Sequence, residues 1–73
     1  MRAVIYGKNF SRDFAKSVIL LFDKLKETNT SVIIFKPFFD YIEKEIDYSP
    51  KVEGFFSNHY DVPEDVDLFI SIG

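Results

Sequence analysis

Several residue types are scarce or missing in this chain, and each shortage excludes a class of protein. Cysteine is absent, so neither a disulfide framework nor a thiolate metal site is possible. Nine basic residues face twelve acidic ones, and the net charge of −3 argues against a nucleic-acid-binding domain, which normally carries a basic face. No apolar run approaches the roughly 20 residues needed to cross a bilayer. We therefore expect a cytoplasmic protein that binds neither nucleic acid nor membranes.

The residues that are abundant predict one small globular domain. The chain has 73 residues, of which 47% are hydrophobic and 29% are charged, a balance typical of folded rather than disordered proteins. Nine phenylalanines and four tyrosines predict an interior rich in aromatic rings. A chain of this length is close to the lower size at which one core supports itself.

Three short apolar runs predict β-strands. They occupy residues 2–6, 31–36 and 66–72. Each run is continuous rather than alternating, which is typical of strands buried on both faces of a parallel sheet. The first is followed by Gly7 and the third by Gly73.

Helices are predicted between these strands. Over residues 11–28 the apolar side chains recur at helical spacing, with Ser11 as the N-cap. A second, shorter helix begins at Pro37. Residues 47–64 have no regular pattern, although a helical turn or an edge strand near residues 52–56 is compatible with them. The helical apolar positions are Phe14, Val18, Leu21, Phe22 and Leu25 in the first helix, and Phe38, Phe39, Ile42 and Ile46 in the second.

The alternation of strands and helices predicts an α/β fold with a parallel sheet. We expect about three strands in the order 2-1-3, in a Rossmann-like or flavodoxin-like three-layer sandwich with helices on both faces. In that order the carboxyl ends of the first and third strands lie side by side. Open α/β sheets bind ligands at such a point.

The loop after the first strand is one candidate site, and its residues are Gly7, Lys8 and Asn9. A glycine turn that leads into a helix offers backbone N–H groups to a phosphate, and Lys8 adds a positive charge. An ordinary turn with a solvated lysine is the more common meaning of such a sequence, because neither G-x-G-x-x-G nor G-x-x-x-x-G-K-[ST] is present. Gly73, at the end of the third strand, is the second candidate for phosphate binding.

The other ionisable residues are better explained without a ligand. His59 has only Asp61 nearby as an orienting partner, so we expect a solvated loop histidine rather than a general base. The acidic residues before the third strand do not have the spacing of an EF-hand loop. We interpret them as a solvated approach to the strand, with Asp65 or Asp67 capping a turn. The acidic group is Asp61, Glu64, Asp65 and Asp67.

The last nine residues resemble a known family. The sequence Asp-Val-Asp-Leu-Phe-Ile-Ser-Ile-Gly at 65–73 is similar to the run-in to the Gly-Gly-Asp-Gly-Thr signature of NAD kinases. In that family a strand leads into this signature, a helix follows, and the loop binds nucleotide phosphates. The opening Met-Arg-Ala-Val-Ile-Tyr-Gly at 1–7 also resembles the family's first strand. On this resemblance Gly73 is the first glycine of the signature, and the Asp-Gly-Thr is not in this chain.

The resemblance implies that residues 1–73 form the N-terminal nucleotide-binding subdomain of a larger two-domain enzyme. Such an enzyme phosphorylates NAD to NADP, with ATP or polyphosphate as the phosphoryl donor and a divalent metal such as magnesium. A β-rich C-terminal domain, absent here, would supply most of the NAD site and the contacts of a homo-oligomer. No residue of this chain matches the catalytic aspartate or a metal ligand, so the chain alone is expected to be inactive.

Other functions remain open at this point. Diacylglycerol kinases and phosphofructokinases share a glycine-aspartate-glycine signature and are the nearest enzyme alternatives. A non-catalytic flavodoxin-like module, such as a receiver domain, would carry acidic residues after the first strand and an aspartate at the end of the third. This sequence has Gly7, Lys8 and Gly73 at those positions. A small interaction domain without a ligand is a further alternative.

Overall fold

The structure is a computed structural model, and it describes residues 1–58 and 61–72. Its strands form one parallel sheet in the order β3-β2-β1-β4. The predicted α/β class is therefore confirmed, and so is the placing of the first strand between the second and the last. In chain order the elements are β1 (Arg2–Gly7), a 3-10 turn (Arg12–Phe14), α1 (Ala15–Glu27), β2 (Ser31–Phe35), α2 (Lys36–Ile46), β3 (Gly54–Phe56) and β4 (Leu68–Ile72).

The sheet has four strands in the described residues, so the expected number of three is wrong. The additional strand is β3, which pairs in parallel with β2 from Ile33 opposite Gly54 to Phe35 opposite Phe56. It spans only three residues, too few for a period-2 pattern to be visible in the sequence. The alternative of an edge strand near residues 52–56 is the one that the structure bears out.

The two helices pack on the same face of the sheet, which differs from the expected helices on both faces. Their buried side chains share one cluster with residues of β1, β2 and β4. Right-handed crossovers explain this, because β1, β2 and β3 follow one another in a single direction across the sheet. The expected order 2-1-3 did not include β3, and its third strand corresponds to β4. The expected connection from the second strand to that strand ran back across the sheet, which would place the second helix on the opposite face. The buried cluster is Ile5, Val18, Phe22, Leu25, Val32, Ile34, Phe38, Phe39, Ile42 and Ile72.

The second face of the sheet has a smaller core. Val4, Ile33 and Phe56 are buried there, and Val62 and Val66 pack against them. Both valines belong to the connection from β3 to β4, which runs back across β2 and β1. A return in the opposite direction places this connection on the opposite face by the same right-handed rule. In the described part of the chain, a connection without an α-helix thus takes the place of the expected second helical layer.

β4 is an edge strand and is more exposed than its sequence suggests. The apolar run at residues 66–72 was expected to be buried on both faces, but Leu68 is 42% exposed and Phe69 is 64% exposed. β4 pairs with β1 along one side, and no described strand lies on its other side. Hydrophobicity alone predicts a strand here but does not tell an edge from a centre.

The helix boundaries follow local backbone chemistry. Ser11 precedes a 3-10 turn rather than capping an α-helix, and its carbonyl accepts a hydrogen bond from the N–H of Phe14 at 3.0 Å. Lys36, predicted as the end of the second strand, is the first residue of α2. Asn29 and Asp47 adopt left-handed backbone angles, with φ of 54° and 50°, just beyond the ends of α1 and α2. Asparagine and aspartate tolerate this conformation better than most residues, so they end both helices.

Candidate functional site

The carboxyl ends of β1 and β4 lie side by side, as predicted. Gly7 pairs with Ile72 at the end of the parallel ladder, and the N–H of Lys8 donates to the Ile72 carbonyl at 3.1 Å. The loop that contains Lys8 and Asn9 therefore begins beside the last described residue of β4. The predicted phosphate contact of Gly73 lies outside the described residues.

Gly7 is required by packing, whatever ligand the site takes. A β-carbon at this position would lie 2.5 Å from Cζ of Phe38, and the Phe38 ring is only 2% exposed. The absent side chain lets α2 approach the end of β1 closely. Gly7 is also the last residue of β1 rather than part of the turn. The structure thus gives this glycine a structural role that the sequence did not reveal.

Tyr41 of α2 holds the loop after β1 at Phe10. The Tyr41 hydroxyl donates to the Phe10 carbonyl at 2.6 Å and accepts from the Phe10 N–H at 3.2 Å. The two rings also meet edge to face, with centroids 5.1 Å apart. The loop is consequently fixed at both ends, at Lys8 by β4 and at Phe10 by α2.

These contacts decide which groups of the loop can face a ligand. The N–H groups of Lys8 and Phe10 already donate within the protein. Among the described hydrogen bonds none engages the N–H of Asn9, which lies between them. Lys8 and Asn9 are both exposed. An anion at this loop would therefore meet the Lys8 ammonium and the amide groups of Asn9, rather than a row of backbone donors.

A cleft of about 540 Å³ opens beside the loop. Its walls come from the end of β1, the end of β2 and the first turns of α2, and among the lining residues that the structure describes Lys8 is the one that carries a charge. Flat apolar walls with a single cation suit a ligand that combines a planar ring with an anion. The lining residues are Tyr6, Gly7, Lys8, Asn9, Phe35, Pro37, Phe38 and Tyr41.

A second lysine, Lys36 at the start of α2, already has partners within the protein. Lys36 Nζ lies 3.0 Å from Asp40 Oδ1 and stands over the rings of Phe55 and Phe39, at 4.6 and 5.2 Å from their centroids. Charge pairing and cation–π attraction hold it at the junction of α2 and β3. Lys8 is therefore the lysine that the cleft presents to a ligand.

Two of the acidic residues before β4, Asp65 and Asp67, contact Arg2 at the amino-terminal ends of the strands. Arg2 Nη1 lies 2.7 and 2.9 Å from the two carboxylate oxygens of Asp65, and Nη2 lies 3.1 Å from Glu53 Oε1. The charge of Asp65, followed by that of Glu53, raises the pKa of the Arg2 guanidinium. Asp67 accepts a hydrogen bond from the Arg2 backbone N–H at 2.8 Å. Arg2 thus ties the starts of β3 and β4 to β1.

A smaller cleft of about 450 Å³ lies at the amino-terminal ends of the strands, where β2 and β3 begin. Tyr48 forms part of its wall, and burial, together with the charge of Asp23, raises the pKa of the Tyr48 hydroxyl. Ligands of open α/β sheets bind at the carboxyl ends of the strands. The cleft beside Lys8 is therefore the better candidate.

Three further expectations concern metal ligands, membrane-spanning helices and His59. Within residues 1–58 and 61–72, no cluster of three or more histidine, cysteine or carboxylate side chains is arranged to hold a metal ion. None of the helices in the same ranges combines the length and apolarity that crossing a membrane requires. The prediction of a solvated His59 falls on a residue outside the described ranges.

The sequence predicted Lys8 and Asn9 as candidates but gave no signal for the aromatic walls of the cleft. Phe35 could have been placed there, because it ends the strand next to β1. Tyr41 carried no signal, since it lies 31 positions from its partner Phe10 and reads as an ordinary helix residue. Compared with known proteins, the chain matches no protein-family model, no curated protein and no solved structure.

Proposed function

We propose that this chain binds nucleotide phosphates at the carboxyl ends of β1 and β4, as the N-terminal α/β part of an NAD kinase. The observation that carries the proposal is the pairing of Gly7 with Ile72 and the hydrogen bond from Lys8 to Ile72. Together they bring the lysine-bearing loop next to the end of the strand whose sequence resembles the approach to the Gly-Gly-Asp-Gly-Thr signature. The proposed site combines these two segments.

The chemistry of phosphoryl transfer agrees with this site. The transferred group is highly charged, and the protein contributes mainly positioning and charge stabilisation. Lys8 supplies a cation at an exposed position, while Tyr41 and β4 fix the loop that carries it. The aromatic cleft offers apolar surface to the ring of a nucleotide. ATP or polyphosphate would be the donor and NAD the acceptor.

The remaining parts of the enzyme belong to the same proposal. The catalytic aspartate would follow Gly73 within the signature, close to the magnesium ion. A β-rich second domain would complete the NAD site and the homo-oligomer, and further elements would extend the sheet to a Rossmann-like three-layer sandwich in a cytoplasmic enzyme. Without that aspartate, residues 1–73 alone form no NADP.

The proposal is tested by expressing the gene through its natural stop codon and assaying NADP formation from NAD, ATP and magnesium. We expect activity that is lost when the aspartate two residues after Gly73 is changed to asparagine. A Lys8→Gln variant should need more ATP for half-maximal rate. A product without Gly-Asp-Gly-Thr that makes no NADP would refute the kinase. Phosphorylation of a diacylglycerol or of fructose phosphate instead of NAD would reassign the site to a kinase of another class.

A further inference from the structure

The hydroxyl of Tyr41 is devoted to the backbone of one loop residue. It donates to the carbonyl of Phe10 and accepts from the N–H of Phe10, so one side-chain oxygen satisfies both backbone groups. Those two groups would otherwise be part-buried without a partner. Leaving such groups unsatisfied is costly, so the hydroxyl holds the loop in one conformation.

The element that carries Tyr41 is well anchored. α2 buries Phe38 and Phe39 in the main core, and the ring of Phe10 packs edge to face on both Tyr41 and Phe38, with centroids 5.1 and 6.0 Å apart. The conformation of Phe10 is thus tied to the main core through α2. Asn9 lies between this anchor and the Lys8–Ile72 hydrogen bond.

We infer that Tyr41 is a positioning residue for nucleotide binding, which it supports through Phe10 by holding Lys8 and Asn9 in the orientation that meets the phosphates. This inference rests on the proposed function, because it takes a nucleotide phosphate as the ligand of the loop. The hydroxyl need not touch the nucleotide. Its effect arises because a preorganised loop loses less conformational entropy when it binds an anion.

The substitution that isolates the hydroxyl is Tyr41→Phe, which keeps the ring contacts with Phe10. Tyr48→Phe is the matched control. Tyr48 is also a partly buried tyrosine, and its ring contacts the core ring of Phe22. It lines the cleft at the amino-terminal ends of the strands, away from the loop. Both variants lose one phenolic oxygen from a half-buried position, and only Tyr41→Phe releases the loop.

The experiment is a titration of the protein, expressed through its natural stop codon, with magnesium–ATP by NMR, together with amide hydrogen exchange and thermal melting. We expect Tyr41→Phe to weaken ATP binding by about tenfold, as the loss of one or two hydrogen bonds suggests, and to speed exchange at the Phe10 amide. Tyr48→Phe should bind ATP as the wild type does.

Each result decides between distinct failures. If Tyr41→Phe melts at a lower temperature but binds ATP as tightly as the wild type, Tyr41 is a structural residue and the inference is overturned while the proposed function stands. Equal weakening by Tyr48→Phe would also overturn it, because the effect would then not come through the loop. If the wild type itself does not bind ATP, the proposed function is overturned and this inference with it.

Discussion

At the end of β1, the Phe38 ring fills the space that a side chain on Gly7 would need. A β-carbon on Gly7 would stand 2.5 Å from Cζ and 2.6 Å from Cε1 of the buried Phe38 ring. The glycine permits α2 to pack against the strand, and α2 in turn carries Tyr41, which holds the loop of Lys8 and Asn9. The geometry of the candidate site therefore begins with a packing contact in the core.

Gly7→Ala should destabilise the fold. The Phe38 ring is 2% exposed and would lie within 3 Å of the added β-carbon, so overpacking should cost about 1–3 kcal/mol of the free energy of unfolding. Gly54→Ala is the control, because a β-carbon at Gly54 would meet no atom within 4 Å. Urea denaturation should show a loss for Gly7→Ala and a change within about 1 kcal/mol for Gly54→Ala. Equal stability of the two variants would contradict the packing role.

Tyr48 makes stability sensitive to alkaline pH. Burial, and secondly the charge of Asp23, raises the pKa of its hydroxyl above the ordinary value of 10.0. The folded state therefore retains the phenolic proton longer than the unfolded state does. The stability associated with that proton is complete below pH 10.0 and is lost as the pH rises through the higher pKa of the folded state.

The measurement is urea denaturation of the wild type and of Tyr48→Phe at neutral pH and at several values above 10.0. Stability of the wild type should fall more steeply than that of the variant over the alkaline range, and Asp23→Asn should reduce the difference. Parallel profiles would show that the hydroxyl has the same pKa in both states.

The free edge of β4 should make the isolated chain associate. Between Leu68 and Ile72 the strand has no charged residue or proline, the features by which natural edges avoid pairing. The opposite edge strand, β3, is only three residues long and lies beside the positive charge of Lys36. Concentrated protein should therefore form dimers or larger species through β4.

Phe69→Lys should suppress this association in sedimentation velocity runs. Leu20→Lys is the matched control, because Leu20 in α1 is 66% exposed and Phe69 is 64% exposed, and each substitution adds one positive charge. A reduction in association only for Phe69→Lys indicates pairing at the strand. An equal reduction for both variants would point to general hydrophobic attraction, and a monomer at all concentrations would contradict the prediction.

The sequence predicted the parts of the fold that rest on long, regular patterns. β1, β2, β4 and both helices lie close to their predicted positions, because continuous apolar runs and helical periodicity span many residues. β3 was left as one of two alternatives, since three residues carry little periodic signal. Because the prediction lacked β3, it connected β2 directly to the last strand and placed α2 on the wrong face of the sheet.

The contacts that shape the site could not be read from the sequence, because they join distant positions. Tyr41 and Phe10 are 31 positions apart, and Arg2 and Asp65 are 63 apart. Asp65 was interpreted as a solvated or turn-capping residue, and its partner became visible only when β1 and β4 were aligned. Lys8 could be proposed as a candidate from the sequence because it follows the end of β1, where open α/β sheets bind ligands.

The most direct test of nucleotide binding at the carboxyl ends of β1 and β4 is a magnesium–ATP titration of the isotopically labelled protein, expressed through its natural stop codon and followed residue by residue by NMR. We expect the largest shifts at Lys8 and Asn9 and at the end of β4, with weaker binding for Lys8→Gln. Shifts centred on Tyr48 and the start of β2, or none at saturating ATP, would contradict the account.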